Sequence, residues 1–220
     1  MAELLDPFLG EPDARRLTPD ALDLISTYID LLQRWNARVN LTAIPNEEEI
    51  VTRHFGESFF AARHLFPEDT NEPGVPALGA EAASRTRVAD VGSGAGFPGI
   101  PIKLWAPEIS LTLIESNHKK ATFLREVARD LTLTNVDIQN ARAESLAEAK
   151  FDIVTLRAVE RFESILPIAA GLVAKGGRLA LMIAQAQLSQ AHSSLPTLDW
   201  PHPIPIPHSQ SRLLATAIVR

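Results

Sequence analysis

The 220-residue chain contains no cysteine, which excludes disulfides, thiolate metal ligands and a cysteine nucleophile. It has no apolar run near the ~18 residues that a membrane-crossing helix requires. Its opening residues, MAELLDPFLGEPD, are acidic and proline-containing, where a secretory signal would be basic and then apolar. A cytoplasmic protein with no membrane partner and no metal site is therefore expected. Positive charge is also in short supply, since the formal net charge is −6, a mild argument against a nucleic-acid partner. The acid is unevenly spread, however: residues 1–66 carry −5, 67–85 carry −3 and 86–220 carry +2. Nucleic-acid binding is neither advertised nor excluded. What remains is ordinary globular composition, 45% hydrophobic and 22% charged, in a length that suits one large domain with an appendage.

Thr18-Pro19-Asp20 reads as a helix start: a hydroxyl N-cap, proline at the first helical position, then an acid near the positive end. Behind it Leu22, Ile25, Ile29, Leu32 and Trp35 recur at three- and four-residue spacing, which predicts an amphipathic helix to about Arg38. Asn46 before Glu47-Glu48-Glu49 starts a second helix, to about His64. These helices form an N-terminal extension (1–66). Residues 67–85, rich in Pro, Gly, Ala and acids, read as a mobile linker or surface insertion. From residue 86 the pattern alternates. Strands are predicted at 88–91, 111–115, 136–139, 151–156 and 178–184, with helices at 99–105, 117–130 and 162–174. This rhythm implies a doubly wound, Rossmann-like α/β domain (86–220) with a parallel sheet. The apolar run 213–219, after a Pro-rich loop at 201–209, suits an added, antiparallel strand.

The strongest chemical signal is Val88-Ala-Asp-Val-Gly-Ser-Gly-Ala-Gly-Phe-Pro-Gly99. Gly92, Gly94 and Gly96 let the backbone turn sharply after a strand and approach a ligand closely. Glu115 ends the second strand, where a carboxylate can accept both hydroxyls of a ribose. Gly94-x-Gly96-x-x-Gly99 with Glu115 also matches a dinucleotide fingerprint, so a nicotinamide-dependent oxidoreductase is a rival. Two features favour S-adenosylmethionine. Asp90 before the turn would oppose a pyrophosphate yet suit an ammonium, and Pro98 removes an N–H that would cradle phosphate.

With Arg34-Trp-Asn-Ala-Arg-Val-Asn-Leu-Thr42, Arg53-His54, Glu57-Ser58, the turn extended through Phe97-Pro-Gly-Ile-Pro101, Leu113-Ile-Glu-Ser116, Lys119 to Arg125, Arg142-Ala-Glu144 and Arg157-Ala158, the chain resembles the bacterial small-subunit ribosomal RNA guanine-N7 methyltransferases, the glucose-inhibited division protein B family. The resemblance implies S-adenosylmethionine-dependent methylation of N7 of one guanine in the decoding-centre (530) loop of 16S rRNA, with the small ribosomal subunit as partner and a monomeric enzyme. It implies that Gly92, Phe97, Ala143 and Glu144 contact the cofactor, that Glu115 holds its ribose, and that Arg157 lies beside the methyl group. Asn40, His54, Arg142 and Arg212 would face the RNA. The chain departs from the family in having Glu57 where Asp is frequent, and Met182-Ile-Ala-Gln-Ala186 where Lys-Gly is usual.

Plainer readings stand beside these. His54, next to Phe55 and Phe59, is by itself a packed histidine, and Trp35 is a core residue. Asn40 and Thr42 cap turns, and His118-Lys119-Lys120 is either a solvated helix start or a phosphate contact. Arg157 is either a ligand-facing cation at a strand's carboxyl end or a surface partner of Glu160 or Glu163. A non-catalytic RNA-binding module is the third functional alternative. Guanine N7 carries an in-plane lone pair, so methyl transfer to it needs no general base, and none of the motifs supplies one.

Overall fold

The computed structural model describes residues 1–10, 17–67, 86–159 and 161–220. Most of the expected linker (68–85) and Glu160 lie outside them. Among the described residues no helix is long and apolar enough to cross a membrane.

Helix α1 (Ala2–Leu9), which no sequence pattern announced, precedes α2 (Pro19–Val39). The Thr18 hydroxyl accepts from the Ala21 N–H at 3.2 Å, and Asn40 ends α2 in the left-handed conformation, φ 57°, as the short polar side chains tolerate. The third helix, α3 (47–65), opens on Asn46, whose side chain accepts from Glu49 N–H at 2.7 Å. It is not uniformly α-helical: Ile50–Gly56 is a π-helical stretch leading into the α-helical Glu57–Leu65. Such widened turns concentrate at functional sites.

The second part alternates β1 (Arg87–Val91), α4 (Gly99–Trp105), β2 (Ser110–Ile114), α5 (His118–Asp130), β3 (Val136–Gln139), β4 (Phe151–Arg157), α6 (Phe162–Leu172), β5 (Val173–Ala184), α7 (Leu188–Ser194), β6 (Ile204–Pro205) and β7 (Arg212–Ile218). The sheet order is β3-β2-β1-β4-β5-β7-β6. The first five strands run parallel, and β7 returns antiparallel to β5, as the last apolar run predicted. Strand β5 begins at Val173, five residues before its expected start at 178, because Val173 pairs with Phe151 across a register shift. The Pro-rich loop contributes the short edge strand β6.

Alternate residues feed opposite faces of the sheet. Val88, Ile153, Ala180 and Leu214 join a cluster with α1 to α5, whereas Ala89, Val154, Leu181 and Ala215 join one with α6 and α7. The N-terminal helices thus share a core with the sheet rather than building their own. The sheet reverses direction of growth between β1 and β4, and the crevice outside their carboxyl ends is where open α/β sheets bind ligands.

Candidate active site

A cavity of about 650 Å³ opens at that crevice, within the range for small-molecule sites. Its floor is the glycine turn after β1. Gly92, Gly94 and Gly96 have φ of 70°, 56° and 88°, a region in which L side chains are strained. A Cβ on Gly94 would make only an ordinary contact, 3.8 Å from the Gly92 carbonyl oxygen, whereas one on Gly96 would strike the Tyr28 hydroxyl and lie 2.6 Å from Ile100 Cδ1. Gly94 therefore faces the cavity and Gly96 faces the core.

Glu115, just past β2, is buried and lines the cavity. One carboxylate oxygen accepts from Gly94 N–H at 2.9 Å, the other from Asn117 N–H at 2.7 Å. Each oxygen retains a second acceptor position for a ligand hydroxyl. Ala143 and Glu144, on a 3₁₀ turn (Ala143–Leu146), line the same wall. Asp90 is placed differently from its expected role. It is 1% exposed, absent from the cavity wall, and accepts from Thr155 Oγ1 at 2.8 Å and from Gly99 N–H at 3.3 Å. Burial raises its pKa to about 6, against the lowering by these hydrogen bonds. Its carboxyl braces the turn from beneath, because Gly99 lets α4 pack directly on it.

The opposite wall comes from the N-terminal helices. Phe97 stacks on Tyr28 (5.2 Å between ring centroids) and on His54 (4.6 Å), and meets Phe55 edge-on. The Tyr28 hydroxyl donates to the Ala95 carbonyl inside the turn. His54 Nε2 shares a 2.8 Å hydrogen bond with Thr42 Oγ1, while its buried Nδ1 has no partner among the described residues. Burial, then the Arg157 and Arg53 cations, lower the His54 pKa to about 3, so the ring is neutral. The Trp-Asn…Asn-Leu-Thr segment is explained by Asn36, whose side chain ties Leu41 and Thr42 (2.7 and 2.9 Å to their N–H groups) and so orients Thr42 toward His54. Asn40 itself is exposed and not in the cavity wall, and its visible role is to end α2.

Arg157 leaves β4 and lines the cavity, but its terminal N–H groups are directed at protein. Nη1 donates to the His54 carbonyl and Ser58 Oγ, both 3.4 Å, and Nη2 to the Arg53 carbonyl and, at 3.2 Å, to Glu57. Its ion-pair partner is therefore Glu57, one hundred residues upstream, and not Glu163, which accepts from Gln190. Glu57 also pairs with Arg212 at 2.5 Å. Arg212 joins the cluster without lining the cavity. Exposed Arg142 stands at the rim, together with Lys120 and Arg161, and none of the three has a salt-bridge partner among the described residues. Sequence reasoning missed Tyr28, Asn36 and Arg161. No cluster of metal-ligating side chains occurs among the described residues.

Comparison with known proteins agrees with this geometry. Residues 21–196 match the family described as rRNA small subunit methyltransferase G. The chain is 37% identical over 170 residues to ribosomal RNA small subunit methyltransferase G of Chromobacterium violaceum, covering 77% of this chain and 73% of that protein. It is 32% identical over 216 residues to the protein of that name from Streptococcus pyogenes serotype M12, covering 93% and 85%. Among solved structures, ribosomal protein L11 methylase from Lactobacillus delbrueckii subsp. bulgaricus is similar in fold, with a TM-score of 0.56, 17% identity, and coverage of 75% of this chain and 80% of that one.

Proposed function

Because the chain belongs to the rRNA small subunit methyltransferase G family, we propose that it transfers the methyl group of S-adenosylmethionine to small-subunit rRNA, at N7 of a guanine in the 530 loop of 16S rRNA. The observation that carries the reading is the two-sided cavity. One wall is an open glycine turn tied to Glu115, and the other is the His54–Phe97 stack. The dinucleotide and non-catalytic alternatives find no support in a methyltransferase family.

The residues fit the cofactor. Gly92 and Gly94 would permit close backbone approach, the free acceptor positions of Glu115 would take ribose hydroxyls, and Ala143 and Glu144 would contact the cofactor from the same wall. S-adenosylmethionine bound there supplies an electrophilic methyl group on a sulfonium. The protein's own contribution is placement, since N7 needs no proton removed. Holding reactants at roughly 3 Å in line is worth about 7–11 kcal/mol. Neutral His54 lines the pocket with its ring and does not oppose the positive charge that develops on the base. Arg157 stands at the methyl side with its terminal donors already engaged, so it shapes the pocket more than it touches N7. Lys120, Arg142 and Arg161 receive phosphates of the strand around the target base. Residues 1–66 act as the RNA-side extension of the cofactor domain 86–220, and the enzyme works as a cytoplasmic monomer.

Calorimetry with S-adenosylmethionine and with a nicotinamide dinucleotide tests the cofactor assignment: the first binds and the second does not. Binding of the dinucleotide alone would refute it.

A further inference from the structure

Glu57 is 2% exposed, and a buried carboxylate is tolerated only when paired and hydrogen-bonded. Its two oxygens reach cations on two strands: Oε2 to Arg157 at the carboxyl end of β4, and Oε1 to Arg212 at the start of β7. Those strands flank β5, where Arg157 is level with Met182 and Arg212 with Ala184. The Glu57 carboxylate sits where the π-helical stretch ends, so it fastens that turn to the sheet edge. Arg157, held by Glu57, in turn grips the carbonyls of Arg53 and His54, and Ser58 Oγ donates to the same His54 carbonyl at 2.5 Å. The backbone of His54 is therefore clamped from two directions, while its ring lies in the cavity wall against Phe97. Packing against Gly56 closes the arrangement from behind, since the Phe8 ring of α1 occupies the space that a Cβ there would need, 2.6 Å away.

We propose that Glu57 is a positioning residue of the methyl-transfer site: by neutralising and orienting Arg157 and Arg212 it fixes the π-helical turn that presents His54 to the substrate base. The proposal rests on the functional reading above. Glu57 touches neither cofactor nor base, so its removal should alter turnover and the state of the His54 ring while leaving cofactor affinity alone. Charge is the essential property. Gln keeps the shape but leaves two guanidiniums close together without a counter-charge, whereas Asp keeps the charge on a shorter arm.

The test uses the full chain. In Glu57→Gln, kcat for small-subunit methylation should fall at least ~30-fold, with S-adenosylmethionine affinity within ~3-fold of wild type. Glu57→Asp should stay within ~5-fold in kcat. Long-range ¹H–¹⁵N spectra should show one neutral His54 tautomer in the wild type and an averaged or broadened ring in Glu57→Gln. If Glu57→Gln does not fold, the double variant Glu57→Gln/Arg212→Met removes one charge of each sign and keeps Arg157 in the cavity wall. It should regain a near-native melting temperature but not turnover, whereas a purely structural role predicts recovery of both. Wild-type kcat in a folded Glu57→Gln protein, an unchanged His54 spectrum, or an Asp variant as impaired as the Gln one would overturn the proposal. Should the wild type methylate no ribosomal RNA, the functional reading fails, and the His54 spectra still decide whether Glu57 sets the ring.

Discussion

Substituting alanine at Gly94 and at Gly96 should separate cofactor binding from stability within one turn. Both residues have positive φ, so either alanine carries a left-handed strain of ~1–2 kcal/mol, partly offset by ~0.4–1 kcal/mol from the stiffer unfolded chain. At Gly94 nothing further is added, because the new methyl meets no protein atom closer than 3.8 Å. Gly94 lines the cavity, so the methyl competes with the ligand. Gly94→Ala should cost about 1 kcal/mol of stability yet weaken S-adenosylmethionine at least ~10-fold, or about 1.4 kcal/mol. At Gly96 the methyl strikes the Tyr28 hydroxyl and Ile100. Overpacking adds ~1–3 kcal/mol, and displacing Tyr28 from the Ala95 carbonyl leaves a buried acceptor unpaired. Gly96→Ala should therefore lose about 3–5 kcal/mol, a drop of roughly 10 °C or more for a chain of this length. Urea titration and calorimetry on both variants read the two axes. A Gly94→Ala protein that is the less stable of the two, or that binds the cofactor normally, would refute this assignment of the turn's two faces.

Arg157→Ala leaves the buried Glu57 with Arg212 alone and takes a donor from three further acceptors, so it should lose about 3 kcal/mol of stability as well as at least ~100-fold in methylation, equivalent to about 2.7 kcal/mol; thermal melts and initial rates check both, and an unchanged melting temperature would contradict the contacts described. His54, held at about 3, binds fewer protons folded than unfolded between pH 6.5 and 3, so stability falls as pH drops through that window. Asp90, raised to about 6, acts oppositely, its contribution being present below pH 3.8 and lost as pH rises through 6. His54→Gln should thus relieve the acid-side loss by on the order of 3 kcal/mol at pH 4, and denaturation curves at pH 4 and 7 with an unaltered difference would show that His54 is not buried neutral. Lys120→Gln and Arg161→Gln should each flatten the salt dependence of RNA binding by ~0.7–0.9 in log–log slope, with cofactor affinity unchanged; a parallel slope would remove that cation from the RNA path.

Much of this architecture is legible in the letters. The strand–helix alternation, the Thr18 and Asn46 caps and the glycine turn each follow from local chemistry, and the structure places them where spacing predicts. What is not legible depends on distant partners. Tyr28 looks like one more apolar residue of an amphipathic helix, because its hydroxyl acceptor, Ala95, is 67 residues away. Arg157 has nearby acids in sequence, yet α3 brings Glu57 to it from the other end of the fold. The π-helical stretch has no breaker residue before its last position, Gly56, and α1 is fixed by Phe8 fitting over that glycine. Asp90 reads as a ligand for charge, whereas in the fold α4 packs on its carboxyl through Gly99. Asn40 attracts attention in its motif, but Asn36 makes the hydrogen bonds.

The central claim is tested most directly by supplying methyl-labelled S-adenosylmethionine with small ribosomal subunits that lack the modification, then digesting the 16S rRNA and identifying the labelled nucleoside by mass spectrometry. One N7-methylguanosine per subunit, from a fragment of the 530 loop, is the predicted result. Label on a different nucleoside, or in a different fragment, or no label with folded, cofactor-binding protein, would contradict it.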